Sequence, residues 1–558
     1  MEKRKLTPLK RFWLLLKPDK YEIRNVYIYA IIIGILNLSL PVGIQAIINL
    51  IQGGTVSTAW LVLVGLVSAG IALSGILQIS QLRITENLQQ KIFTRAAFEF
   101  SYRIPRIKLE KLFKKYAPEL MNRFFDVVSV QKGMTKILID FSSATIQVLF
   151  GLMLLSIYHP FFIIFSLVLV VMVVAIFYFT IKKGLETSLE ESKHKYRIAH
   201  WLEELARAQT TFKISGTSSL PLERVNRHTN DYIDSREAHF AVLKTQYGLM
   251  VMFKVLVALG LLLIGGLLVM DQQMNIGQFV AAEIVILLIT GSVEKLILNF
   301  ETIYDVLTSL EKIGQVTDLE LEKEGGMNLE RRDDGIHVKI ANAKFRYPGE
   351  RKSTINDISM EVEPHERILI TGKNDSGKST LLYLVSGLLH VDDGYVSIDG
   401  IPLHNYDHDI LHSQIGGYLR DEDLFEGSLL ENITLGRPGA SFENVIWAIE
   451  NLGLQDVIND LPAGYDTPIH PQGKLFSKST RAKVLIARAI VDRPRLLVLE
   501  NSFSVFSQED RMRILEFLLD KKHTWTVLLT SSQPMPIENM INREVVLLNG
   551  QIKEIKTY

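Results

Sequence analysis

Gly372-Lys373-Asn374-Asp375-Ser376-Gly377-Lys378-Ser379-Thr380 fits the pattern G-x-x-x-x-G-K-[ST] without a mismatch. Upstream, Arg367-Ile-Leu-Ile-Thr371 has the apolar density of a buried strand, and downstream Leu381-Leu-Tyr-Leu-Val385 has helical spacing. A glycine-containing turn before a helix would need neither flank. The strand–loop–helix context instead predicts a phosphate cradle. Glycines let the backbone wrap closely, and successive N–H groups and the helix N-terminus face a triphosphate. Lys378 reaches the β- and γ-oxygens and Ser379 can ligate Mg²⁺, so ATP and Mg²⁺ are the expected cofactors.

The 558 residues exceed what one core organises, and 47% of them are apolar, which suits a chain with about half its length in lipid. Net charge is zero and indicates nothing about partners; no feature points to nucleic acid. The absence of cysteine excludes disulfides and thiolate metal sites.

Residues 1–24 are basic, and Arg11-Phe-Trp-Leu-Leu-Leu-Lys17-Pro18 sets bulky apolar residues between cations. The segment is too short to span a bilayer and reads as a helix lying in the interface; no small-residue cleavage site follows that would mark a signal peptide. Six apolar runs of near-spanning length come next, Val26–Ile51, Ala59–Ile79, Ile137–His159, Phe161–Ile181, Tyr247–Met270 and Ile276–Phe300. A kink is expected near Pro41.

The connections alternate. Residues 52–58, 158–160 and 271–275 are short and nearly free of cations, whereas 82–136 and 182–246 are long and basic, with Arg103, Arg106, Lys108, Lys111, Lys114, Lys115 and Arg123 in the first. The positive-inside rule places both long connections, the N-terminus and the C-terminal half in the cytoplasm, in an integral inner or plasma membrane protein. Helical spacing in Glu86–Phe98 predicts that the spanning helices continue beyond the bilayer. Asp140, Lys254, Glu283, Glu294 and Lys295 fall within the runs. They either pair inside the bundle, with Lys254 and Glu294 as the natural pair, or lie at helix ends and reach water. The expected division is therefore a membrane domain over 25–305, a charged linker over 306–334, and an α/β domain over 335–558. Short strands at His337–Ile340 and Ala343–Tyr347 open that last domain.

Phe345-Arg-Tyr347, the phosphate loop, Ala487-Arg-Ala-Ile490 and Pro494-Arg-Leu-Leu-Val-Leu-Glu500 occur in the order seen in the nucleotide-binding domain of ABC transporters. The chain resembles an exporter-type half-transporter over essentially its whole length. The resemblance implies a six-helix α-helical transmembrane bundle followed by an α/β P-loop NTPase domain. Gly277-Gln-Phe-Val-Ala281 is similar to the haemolysin-type secretion exporters, here with only a short basic segment before the first span and no peptidase-like domain.

That resemblance implies roles residue by residue. Tyr347 would stack on adenine, or is an ordinary strand tyrosine. The Leu-Ser-Gly-Gly-Gln signature lands on Phe476-Ser477-Lys478-Ser479-Thr480, where only the serine survives. Side chains at 478 and 479 would crowd a γ-phosphate held by the opposite subunit; Lys478 either substitutes as a cation or is simply solvated. The Walker B aspartate falls on Glu500, which with Ser379 would serve the metal, and the catalytic glutamate falls on Asn501. Sliding the register to make Glu500 the base would put Leu499 on the metal side and break the spacing to Pro494. An amide has no useful basicity, so the usual means of polarising the lytic water is missing. Ser531 occupies the switch-histidine position, Arg420 that of the Q-loop glutamine, and Ser507 the end of a loop that usually closes in aspartate.

ATP binding is thus expected to be separated from hydrolysis, so whether the chain acts as an ATPase stays open. The reading is half of a dimeric exporter, homo- or heterodimeric, embedded in lipid and turning ATP over weakly or with help from the other half. A periplasmic adaptor and an outer-membrane channel would be its partners if the secretion-type likeness holds. The alternative is a non-hydrolysing, ATP-gated membrane regulator or scaffold.

Overall fold

A computed structural model describes residues 6–52, 58–113, 115–420, 422–474, 476–500, 503–532 and 535–558. Asn501, Lys114 and residues 53–57 of the first short connection lie outside them. The chain separates into two compact units, one of residues 1–105 with 115–319, the other of 106–114 with 320–558.

Among its described residues the first unit forms helices and their connections. Among these residues six stretches are long and apolar enough to cross a membrane: α1 (Pro8–Gln52), α2 (Thr58–Arg106), α3 (Ala117–Tyr158), α4 (Phe161–Arg207), α5 (Leu220–Met270) and α6 (Ile276–Thr317). At 1.5 Å per residue the 47 residues of α4 reach about 70 Å, more than twice the roughly 30 Å hydrocarbon core, as the helical spacing beyond the runs predicts. The kink in α1 falls at Leu38, between helical segments ending at Asn37 and starting at Ser39. Pro41 has no N–H to give the Asn37 carbonyl, so the ladder breaks one turn before the proline.

Apolar side chains divide by what they face. Leu61, Val62, Leu66, Ile76 and Ile79 of α2 are exposed on the protein surface, as lipid-facing residues must be. Helix α6 is the buried one, with Ala282, Val285, Ile286, Ile289 and Val293 packed among Leu155 of α3, Phe162 of α4 and Phe253 and Val257 of α5. Gly151 on α3 permits that closeness: a Cβ there would lie 2.8 Å from Ile289 Cγ1. The buried Tyr304 hydroxyl and Thr180 Oγ1 each take a hydrogen bond from Gln246 Nε2 at 2.8 Å, a polar tie joining α4, α5 and α6. Lys254 Nζ donates to Glu294 Oε2 at 2.7 Å, so of the two alternatives these residues pair. Asp140 lies half-buried in a π-helical turn, while Glu283 and Lys295 are exposed.

The N-terminal amphipathic helix Pro8–Leu16 turns Phe12, Leu15 and Leu16 to the bundle and leaves Leu9, Trp13 and Leu14 exposed. Arg11 forks onto Asp318 just past α6, with Nη1 2.8 Å from Oδ1, and the guanidinium fills the space a side chain at Gly314 would need. Arg11→Ala should therefore cost about 1.5–3 kcal/mol, the usual value of a charge-assisted pair of bonds. Thermal unfolding of the detergent-purified chain checks this, and an unchanged midpoint would show the pair to be incidental.

The second unit is a two-sheet α/β domain. Its smaller sheet is antiparallel, with β1 (Val338–Phe345) between β2 (Ile355–Val362) and β4 (Asp393–Ile398), and the two-residue strand Ile401–Pro402 at the edge. The two short strands expected at 337–347 are one strand carrying an irregularity, where Asn342 at φ 49° lets the chain shift register. The larger sheet takes the order β9-β8-β3-β7-β6-β5, from β3 (Arg367–Gly372), β5 (Ile415–Tyr418), β6 (Leu496–Glu500), β7 (Thr526–Ser531), β8 (Arg543–Leu548) and β9 (Gln551–Thr557). All its pairings are parallel except β8–β9. Strands β6 and β7 are buried at every position, the continuous apolar run of a sheet covered on both faces. Arg367, itself buried, opens β3 by donating to the carbonyls of Leu519, Asp520 and His523.

Candidate nucleotide-binding site

Strand β3 delivers the chain to the phosphate loop at the middle of the larger sheet, and helix α7 (Lys378–Val385) leaves from it. The glycines are sterically required. A Cβ at Gly372 (φ 151°) would meet Leu547 O at 2.4 Å, and at Gly377 (φ 97°) Thr354 O at 2.8 Å. Asp375 also sits at positive φ, 62°. The turn between β8 and β9 buttresses the loop, since Gly550 N donates to Ser376 O at 3.1 Å.

Lys378 curls back into this cradle. Its Nζ donates to the carbonyls of Gly372 and Lys373, both at 2.8 Å, and lies 3.4 Å from Ser376 Oγ. Burial lowers its ammonium pKa, which the charges of Asp375 and Glu500 partly offset. Such a desolvated cation at a helix N-terminus attracts an anion more strongly than an exposed one does. Ser379 Oγ donates to Glu500 Oε1, while Glu500 Oε2 accepts from Arg420 N at 2.8 Å. A hydroxyl and a carboxylate in mutual contact beside a phosphate cradle are the donors Mg²⁺ prefers, so Ser379 and Glu500 are the residues that can hold one. In β7, Thr530 is level with Glu500 and Ser531 with Thr371, which puts the buried Ser531 at the strand end beside the loop.

The structure thus brings together Gly372 to Thr380, Glu500, Ser531 and the backbone of Arg420, whose side chain is exposed. Tyr347 joins them through its hydroxyl, 3.1 Å from Thr380 Oγ1. Ser477 does something else: it caps the helix α9 (Lys478–Ile490), accepting from Thr480 N at 3.0 Å and lying within 2.9 Å of Ser479 Oγ. Phe476 packs on the domain core and Lys478 is exposed.

Two features have no signal in local spacing. Residues 106–113, from the first long connection, belong to this unit: Phe113 meets the Tyr347 ring edge-on at 5.0 Å, and Leu109 packs on the core. Glu110 Oε1 accepts hydrogen bonds from His390 N (2.9 Å) and from its Nδ1 (2.8 Å). Burial pushes the Glu110 carboxyl up, but the bonds from His390 outweigh it and hold the group at about 2. The cleft of about 280 Å³ between this segment and Arg346, His390 and Asp392 excludes the phosphate loop. The loop is an open cradle on the surface.

Glu422 lies two residues past Arg420, accepting from Leu419 N at 3.1 Å with Arg488 Nη1 at 3.8 Å. Burial pushes it up from 4.5 to about 7, more than the Leu419 N–H bond and the Arg488 charge offset. The folded state therefore holds its proton more tightly than the unfolded chain. This contribution to stability is complete below pH 4.5 and is lost as pH rises through 7, by about 3 kcal/mol at most. Glu422→Gln should flatten that slope and be the more stable protein at pH 8, as melts at pH 5 and 8 will show. An unchanged slope would mean that Glu422 is already ionised.

A parallel sheet whose central strand ends in a glycine-forced loop, with a buried lysine and a hydroxyl–carboxylate pair, defines a P-loop nucleotide-binding domain. Two family descriptions match the chain: ABC transporter transmembrane region over residues 24–293, and ABC transporter over 355–504. Together they cover most of the chain, which belongs to the ABC transporter family and is an exporter-type half-transporter, an integral multi-pass membrane protein with a cytoplasmic C-terminal cassette. It is 28% identical over 359 residues to the alpha-hemolysin translocation ATP-binding protein HlyB of Escherichia coli O157:H7, 64% of this chain and 50% of that one. It is 31% identical over 310 residues to the leukotoxin translocation ATP-binding protein LktB of Mannheimia haemolytica, 55% of this chain and 43% of that one. The chain spans about half the length of these relatives. A bacterial Atm1-family ABC exporter with ATP bound has the same fold, at TM-score 0.86 and 18% identity over 96% of this chain and 95% of that one.

Proposed function

We propose that the chain is one half of a dimeric exporter whose cassette binds Mg-ATP firmly but hydrolyses it slowly or only with help from the second half. The observation that carries this is the contrast within one site. The gripping parts are complete: glycines that no other residue replaces, Lys378 held in the cradle, and Ser379 against Glu500. The parts that would polarise water are replaced, Ser531 standing buried where a histidine would act and the sequence placing an amide, Asn501, next to Glu500. Neither a serine nor an amide takes a proton near neutral pH.

Tyr347, edge-on to Phe113 and tied to Thr380, would lay its face on the adenine, and the open cradle would be completed by the signature segment of the second half. With Lys478 and Ser479 in that segment, a homodimer would carry two impaired sites, and a heterodimer would be little better, since this chain's Asn501 and Ser531 would impair one composite site and its Phe476–Thr480 the other. Closure on ATP would do work through the difference in nucleotide affinity between closed and open states. The relatives named for translocating haemolysin and leukotoxin favour a peptide or protein cargo, with a periplasmic adaptor and an outer-membrane channel as partners. Nucleotide binding and phosphate release measured on the same purified chain test the proposal. Firm binding without export of any cargo would instead support an ATP-gated regulator.

A further inference from the structure

Helix α8 (His408–Ser413) begins with two histidines four residues apart, which places both imidazoles on one face. Across from them lies Glu322, in the charged stretch after α6 that sequence alone reads as a linker. It is not loose. Glu322 N donates to Arg106 O at 2.8 Å and Lys108 N to Glu320 O at 3.0 Å, a short antiparallel bridge, while Met327 N donates to Asn405 O at 2.7 Å. Gly326 fits against the backbone of Asn405 to Asp407, where a Cβ would lie 2.6 Å from Asn405 O.

One donor atom from each of Glu322, His408 and His412 lies within 4.8 Å of the other two. The His408 side chain is almost wholly buried, yet among the described residues its Nδ1 has no hydrogen-bond partner, and it stands 4.0 Å from Glu322 Oε2. A buried ring nitrogen left in that condition is costly unless something else meets it. The other nearby acids are already engaged. Asp407 accepts from Gly325 N and Ile410 N, Asp409 from Arg106, and Glu110 from His390. Among the described residues no donor is hydrogen-bonded to the Glu322 carboxylate. His412 is also pre-set, its Nε2 lying 3.1 Å from the Ser386 carbonyl, which fixes the hydrogen on Nε2 and the lone pair on Nδ1.

We propose that Glu322, His408 and His412 form a binding site for zinc or a similar borderline divalent cation. Two imidazoles and a carboxylate are a zinc donor set, with water as fourth ligand. Tetrahedral donors about 2.1 Å from the metal sit roughly 3.4 Å apart, so the present spread closes with small side-chain rotations. The Nε2–H bond to Ser386 is the outer contact that metal-bound histidines keep. The ion would clamp the linker stretch to the cassette through α8, and through Ser386 to the end of α7, whose first residues grip phosphate. Its role is structural, since no reacting group lies beside it.

The test uses the full, untagged chain in detergent, stripped with a chelator and titrated with Zn²⁺, and with Co²⁺ as a coloured probe. One equivalent per chain is expected, with the intense visible bands of tetrahedral cobalt and a rise in melting temperature. Glu322→Gln and His412→Asn should each weaken the affinity by more than the roughly 10–100-fold that loss of an outer contact costs, and His408→Asn with His412→Asn should abolish it. Glu322→Gln keeps the shape of a half-buried side chain and so keeps the test valid should the double variant fold poorly. Wild-type binding no greater than that of the double variant, or Glu322→Gln and His412→Asn binding as the wild type does, overturns the proposal.

Discussion

Lys378→Ala should weaken ATP binding by about two to three orders of magnitude while leaving the chain folded. The ammonium is the only side-chain cation hydrogen-bonded within the cradle among the described residues, and it is desolvated there. Each charge-assisted bond to phosphate is worth roughly 1.5–3 kcal/mol, and two of them toward the lower end of that range reach a factor of about 10²–10³. The carbonyls of Gly372 and Lys373 that Nζ now holds can turn to water on this open surface, so the loss should appear in nucleotide affinity and hardly in stability. Fluorescent-nucleotide titration beside a thermal melt separates the two. Affinity within threefold of the wild type would mean that the triphosphate lies elsewhere.

Asn501→Glu combined with Ser531→His should raise ATP turnover by about 10²–10⁴, the usual contribution of a positioned general base. The register gives Ser531 a place level with Thr371 at the strand end, so a histidine there would face the loop from β7. Binding should change little, because neither position grips phosphate. Turnover unmoved by the pair would assign the limit to Lys478 and Ser479 instead, and Lys478→Gly with Ser479→Gly in the same background should then release it.

What could be read in advance follows from the range of the signal. Six spans and a cassette were legible because apolar runs of bilayer length and a glycine–lysine loop at fixed offsets are local patterns. The Lys254–Glu294 pair was legible for a related reason, two opposite charges at matching depths of neighbouring spans. By contrast, the docking of Phe113 on Tyr347 and of Glu110 on His390 joins residues more than 200 positions apart. Nothing in either neighbourhood announces the other. The Thr180–Gln246–Tyr304 tie is of the same kind, since helical period marks a buried face but not the atom that another helix brings to it. The linker around Glu322 looked merely charged because its order comes from backbone bonds to Arg106 and Asn405, which composition does not encode.

Measuring Mg-ATP binding and phosphate release on one preparation of the purified full chain decides whether the site grips ATP without the means to hydrolyse it alone. Saturable binding that Lys378→Ala removes, with phosphate release at or near background, is the expected result. Brisk release that disappears with Lys378→Ala but survives Asn501→Ala would contradict it.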